Sequence, residues 1–89
     1  MSEVRAGVDA LDRELVALLA RRFAFMRAAA RIKPERGMVR DEVRKAAVIA
    51  AARLEAERIG APSERIAALW EALVESSIAY ELEQWDAKF

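Results

Sequence analysis

The chain has 89 residues, enough for one small core and too few for two. It is 55% apolar and 34% charged, a balance that excludes a disordered polymer. Fifteen Lys and Arg offset fifteen Asp and Glu, which argues against a basic nucleic-acid binder, and the lack of Cys and His excludes disulfides, thiol chemistry, Cys/His zinc sites and histidine acid–base catalysis.

Apart from Gly7, glycine and proline fall at two places, Lys33-Pro34-Glu35-Arg36-Gly37-Met38 and Gly60-Ala61-Pro62-Ser63. The intervening chain is rich in Ala, Leu, Arg and Glu, all good helix formers. The expected fold is all-α, one domain over 1–89, with helices at about 3–33, 40–59 and 63–87. Ser2 and Ser63 are the expected caps of the first and third helices. Pro34 disfavours helical geometry at Lys33 and ends the first helix there.

The first helix, at 1.5 Å per residue, is about 46 Å long, whereas a compact globule of this chain length is only about 30 Å across. Apolar residues nevertheless line it throughout: Val4, Val8, Leu11, Leu15, Leu18, Phe25 or Met26, and Ala29. A partner chain covering that stripe predicts an intertwined helical homodimer.

Followed at helical spacing, the stripe runs Leu15, Leu18, Arg22, Phe25, Ala29, Lys33, so two cations occupy positions that the period assigns to the buried face. They could grip a small anion between them. Taken from the period alone, an Arg22 paired with Glu and a Lys33 whose stem runs to solvent fit better. The second helix opens with Arg40 and Arg44 at i, i+4, a spacing that also suits a solvated face. In the third helix the apolar run Ile66, Leu69, Trp70, Leu73, Val74, Ile78 is interrupted by Ser77 and Glu81, one turn apart on one face. Ser77 alone fits a bond back to a helix carbonyl, and Glu81 alone fits a buried partner for Arg22. Trp70, Tyr80 and Trp85 fit packing better than a ligand cage. Taken together, Arg22, Lys33 and Arg44 facing Ser77 and Glu81 describe a cationic pocket for a small dianion. Its chemistry would need neither nucleophile nor metal, only electrostatic stabilisation of a charge-separated transition state. No apolar run approaches the ~20 residues of a membrane span, and Met1-Ser2-Glu3-Val4-Arg5 carries no signal-peptide pattern, so the expected compartment is the cytoplasm.

The pattern Val4-Arg5-x-x-Val8-Asp9-x-Leu11-Asp12-x-x-Leu15-Val16-x-Leu18-Leu19-Ala20-Arg21-Arg22 resembles the opening helix of the AroQ-class chorismate mutases. Lys33, a short loop and Val39-Arg40-Asp41-x-x-Arg44 fit the same family, and the resemblance covers nearly the whole chain. The related isochorismate-pyruvate lyases share the fold, and Ile78-Ala79-Tyr80-Glu81-x-x-Gln84-Trp85 is similar to theirs. The resemblance implies a homodimer with two pockets for a dianion, chorismate or isochorismate, and no cofactor, metal, nucleic acid or membrane. In the implied site Arg22 binds a carboxylate, Lys33 the ether oxygen and a carboxylate, and Arg5 arrives from the other subunit. Arg44 and the Asp41 backbone close the loop side, Ser77 lies at a carboxylate, and Glu81 lies beyond the ether oxygen. An alternative register brings Gln84 nearer the pocket in place of Glu81.

Two positions depart from the family pattern. Many bacterial members carry Gln where this chain has Glu81; ionised, Glu81 repels charge developing on the ether oxygen, and protonated it donates to it. Lys45 stands where the mutases typically carry a Glu for the ring hydroxyl, a Glu the lyases also lack. The implied activity is rearrangement of chorismate to prephenate, with isochorismate-pyruvate lyase as the alternative and a catalytically silent helical dimer as a third reading.

Overall fold

A computed structural model describes residues 1–88. Three helices, α1 (Ser2–Ile32), α2 (Glu42–Ile59) and α3 (Ser63–Ala87), carry the fold, and a single 3-10 turn, Arg36–Met38, lies between the first two. There is no strand among the described residues. The all-α expectation holds, with ends shifted by one or two residues.

The shifts have local causes. Lys33, ahead of Pro34, is extended (φ −67°, ψ 127°), so α1 stops at Ile32. The second helix begins at 42 rather than 40 because Asp41 is its cap, extended, with its carboxylate accepting the Arg44 N–H at 2.9 Å. Arg40 therefore lies outside the helix and does not share a face with Arg44; it pairs with Glu42 and Glu75 instead. The two serine caps expected from the sequence are absent. Ser2 and Ser63 are each the first helical residue, preceded by Met1 and Pro62, and neither helix start has a side-chain cap. Gly60 closes α2 in the left-handed region (φ 76°), where a Cβ would be strained, and its N–H bonds back to the Ala56 and Glu57 carbonyls.

The central element is α3. Contacts with α1 join 22 to 77, 27 to 80 and 33 to 81, ascending in both, so these helices run in the same sense. Pairs with α2 join 45 to 75, 45 to 71 and 53 to 64, so that pair is antiparallel. The helices α1 and α2 both lean on α3 and not on each other, which leaves a cleft between them. The core is small: Val39, Val74 and Ile78 are buried, with Val48, Ile49, Trp70, Leu82 and Trp85 packed around them.

The molecule measures 50 × 25 × 15 Å, and its radius of gyration is 15.5 Å. A globular chain of this length would have a radius near 12 Å. The excess comes from α1, whose first two turns and more project beyond the core; Val4, Val8, Leu11, Leu15 and Leu18 remain 50–59% exposed. No helix among the described residues is long and apolar enough to cross a membrane.

Candidate active site

The cleft between α1 and α2 is a cavity of about 420 Å³, within the size range of small-molecule sites. From α1 it receives Arg22, Met26, Ala29 and Lys33, which fall within roughly 60° of one another at 100° per residue. The same phase explains one correction: Phe25 turns out of this arc and is 70% exposed, and Met26 takes the inward position. Ser77 and Glu81 enter from α3, and Asp41, Arg44 and Lys45 from the start of α2. Seven of the eight residues singled out from the sequence therefore share one cavity. Arg5 does not; it lies 17 residues before Arg22, about 25 Å away along α1. Gln84 does not line the cavity, so Glu81 is the residue that faces it.

The polar contacts are specific. Lys33 Nζ donates to Glu81 Oε2 at 2.6 Å, and Glu81 is only 4% exposed. The Arg22–Glu81 pair that the sequence also allowed is not formed. Arg22 Nη1 instead donates to Ser77 Oγ, and the Ser77 hydroxyl in turn donates a hydrogen bond to the Leu73 carbonyl at 2.7 Å. The back-bond to the helix and the site role are thus compatible, since Ser77 holds the Arg22 guanidinium over the cavity.

Four cations and two carboxylates line the space. Lys33 is matched by Glu81, and Lys45 by Glu71 at 2.7 Å and Glu75 at 3.0 Å. No carboxylate among the described residues pairs with the side chain of Arg22 or Arg44. Burial first, and the Arg44 guanidinium second, lower the Arg22 pKa. Two guanidiniums that repel each other in a half-enclosed cavity lack a counter-ion, and a dianion supplies one. A larger hollow of about 480 Å³ lies on nearly the opposite face of α3, lined by Phe23, Ser76, Ala79, Tyr80 and Glu83. It is more open and has no cation in its wall, so it offers no comparable anion site.

Sequence reasoning missed the residues that hold the charged ones. Glu71 and Glu75, one turn apart on α3, fix the Lys45 ammonium and keep its pKa above the ordinary value, Glu71 contributing most. Arg40 first, and Lys45 next, depress Glu75 to about 2. Their i, i+4 spacing was visible, but nothing in it specified that the two would face Lys45.

The sequence profile of the family described as chorismate mutase type II matches residues 4–82. No curated protein and no solved structure was found similar to the chain at a significant level.

Proposed function

Because the chain belongs to the type II, AroQ-class chorismate mutase family, we propose that it catalyses the rearrangement of chorismate to prephenate in the α1–α2 cavity. The observation that carries this reading is the pair of guanidiniums, Arg22 and Arg44, facing one cavity with no carboxylate of their own beside the Lys33–Glu81 couple.

The substrate dianion bridges the two guanidiniums through its carboxylates, which selects the folded conformer in which the reacting carbons meet. The ether C–O bond then breaks as the new C–C bond forms, with no group transferred to the protein. Negative charge builds on the ether oxygen at the breaking bond. Lys33 has three ammonium hydrogens and gives one to Glu81, so two remain for that oxygen and a neighbouring carboxylate. Glu81, held beside Lys33, opposes that charge when ionised and donates a hydrogen bond to it when it carries a proton. The Asp41 N-cap, with its carboxylate on the Arg44 N–H, holds the loop side.

The second subunit of this reading is another copy of the chain. It covers the exposed stripe from Val4 to Leu18 and brings its Arg5 to the substrate's remaining carboxylate oxygen. Such a dimer has two equivalent cavities.

Lys45 favours a second reading. An ammonium has no acceptor, so toward Lys45 a ring hydroxyl can only accept a hydrogen bond. With isochorismate bound, a ring hydrogen would pass to the enolpyruvyl methylene as the C–O bond breaks, releasing pyruvate and leaving salicylate. Incubation with chorismate and with isochorismate, followed by NMR of the products, decides between the two. Prephenate from chorismate supports the mutase, faster formation of pyruvate and salicylate from isochorismate replaces it with the lyase, and no product from either supports a silent helical module.

A further inference from the structure

Pro34 has no N–H and forces Lys33 out of helical geometry, so the last turn of α1 ends with carbonyls that no following residue can satisfy. The C-terminal end of α3 and its cap residue Lys88 satisfy two of them. Trp85 Nε1 donates to the Lys33 carbonyl at 3.2 Å, and Lys88 Nζ donates to the same oxygen and to the Ala30 carbonyl, both at 2.9 Å. The Lys88 ammonium also lies 4.8 Å from the centre of the Trp85 ring, and its charge sits at the negative end of the α1 dipole. Next to them Asp86 holds Arg36 through two hydrogen bonds, 2.8 and 3.2 Å.

We propose that Trp85 and Lys88 are positioning residues, which clamp the Lys33 carbonyl and thereby aim the Lys33 ammonium into the cavity. The catalytic part of this inference rests on the reading of Lys33 as the group at the ether oxygen. Lys33 is the joint between a rigid helix and a proline-led loop, and rotation about its φ swings the side chain, the carbonyl and the loop together. One oxygen holding two donors from α3 removes that rotation. Glu81, one turn before Trp85 on the same face of α3, takes the Lys33 ammonium, so backbone and side chain are held from the same helix by residues one to two turns apart.

The variants Trp85→Phe and Lys88→Met each remove the donor and keep most of the packing, and Lys88→Arg keeps a donor. The expected result is a fall in kcat of roughly 10-fold for the first two, with KM little changed and Lys88→Arg near the parent, the scale expected of a sub-ångström misplacement. The Lys33 amide, bonded to the Ala29 carbonyl at 3.0 Å, should exchange faster in the two damaging variants, with the change confined to residues 30–36. Unaltered Lys33 exchange overturns the clamp. Faster exchange with unaltered kcat, in a protein whose activity Lys33→Ala abolishes, overturns the aiming role alone. Full activity in Lys33→Ala instead overturns the reading of Lys33 itself, and the exchange measurement still reports on the clamp.

Discussion

Lys33 and Glu81 meet at 2.6 Å, yet they stand in different surroundings: the Glu81 side chain keeps 6% of its surface, the Lys33 side chain 27%. The carboxylate is enclosed and the ammonium borders the open cavity. Removing the lysine therefore does two separable things. In the proposed mechanism it takes a donor from the ether oxygen, and in any case it leaves a buried carboxylate without its cation. Lys33→Ala should lower kcat by at least ~100-fold, the loss typical of one such donor. It should also lower the thermal midpoint, and adding Glu81→Gln should restore the midpoint but not the turnover. Near-parental turnover in Lys33→Ala, by a chorismate-consumption assay, would remove the proposed mechanism.

In the proposed mechanism Glu81 makes the reaction sensitive to pH. Its carboxyl helps only when it carries a proton, so turnover in the parent should be lower at high pH than at low pH. Glu81→Gln, always a donor, should extend activity to higher pH. A pH–rate profile that is the same in both proteins refutes this role.

Arg22 illustrates a conflict between stability and function. Its neighbour Arg44 repels it and its burial disfavours charge, so the unliganded protein holds it at a cost. Arg22→Met removes the charge and keeps the stem, while the Ser77 hydroxyl keeps its bond to the Leu73 carbonyl. The thermal midpoint without ligand should rise and activity should fall by ~100-fold or more. A lower midpoint in this variant would show that the two guanidiniums are not under repulsion.

Glu75 governs stability towards acid. Arg40 and Lys45 hold its carboxyl at about 2, well below its ordinary value. A depressed carboxylate adds stability at pH above its unfolded pKa and loses it as pH falls towards the folded value. The midpoint should therefore decline between about pH 4.5 and 2 in the parent, and less steeply in Glu75→Gln, which starts lower at neutral pH. Because the group is solvent-exposed, high salt should shrink the difference. Parallel curves for the two proteins would contradict the assignment.

How much of this was legible in the sequence depends on the kind of signal. The helices followed from the two breaks at Pro34 and Gly60, and the cavity from charged residues where the 3.6-residue period demanded apolar ones. Arg22, Lys33, Ser77 and Glu81 all had that mark. The partnerships did not, because they depend on the register between helices, which no single helix encodes. Glu81 could have met Arg22 or Lys33, and a shift of one turn in α3 decides between them. The serine caps failed for a related reason: Ser2 and Ser63 have the right chemistry, but each already lies inside its helix. Phe25 and Met26 both flank the stripe, and helical phase selects Met26 only once Arg22, Ala29 and Lys33 are seen to face the cavity.

The role proposed for Arg5 can be tested without any structure of the assembly. Sedimentation at micromolar concentration should give twice the monomer mass, and a monomer rejects the partner subunit. Arg5→Ala and Arg22→Ala should each lose most activity, since every cavity of either dimer lacks one of the two guanidiniums. Mixing and refolding them makes heterodimers, in which one cavity combines Arg22 of the first variant with Arg5 of the second and is complete. With random pairing about a quarter of all cavities are whole, so activity should recover to about a quarter of the parent's. If Arg5 acts within its own chain, each chain's cavity remains damaged and mixing restores nothing. The geometry favours recovery, because the ~25 Å between the two residues along α1 is more than one ligand in the cavity can span.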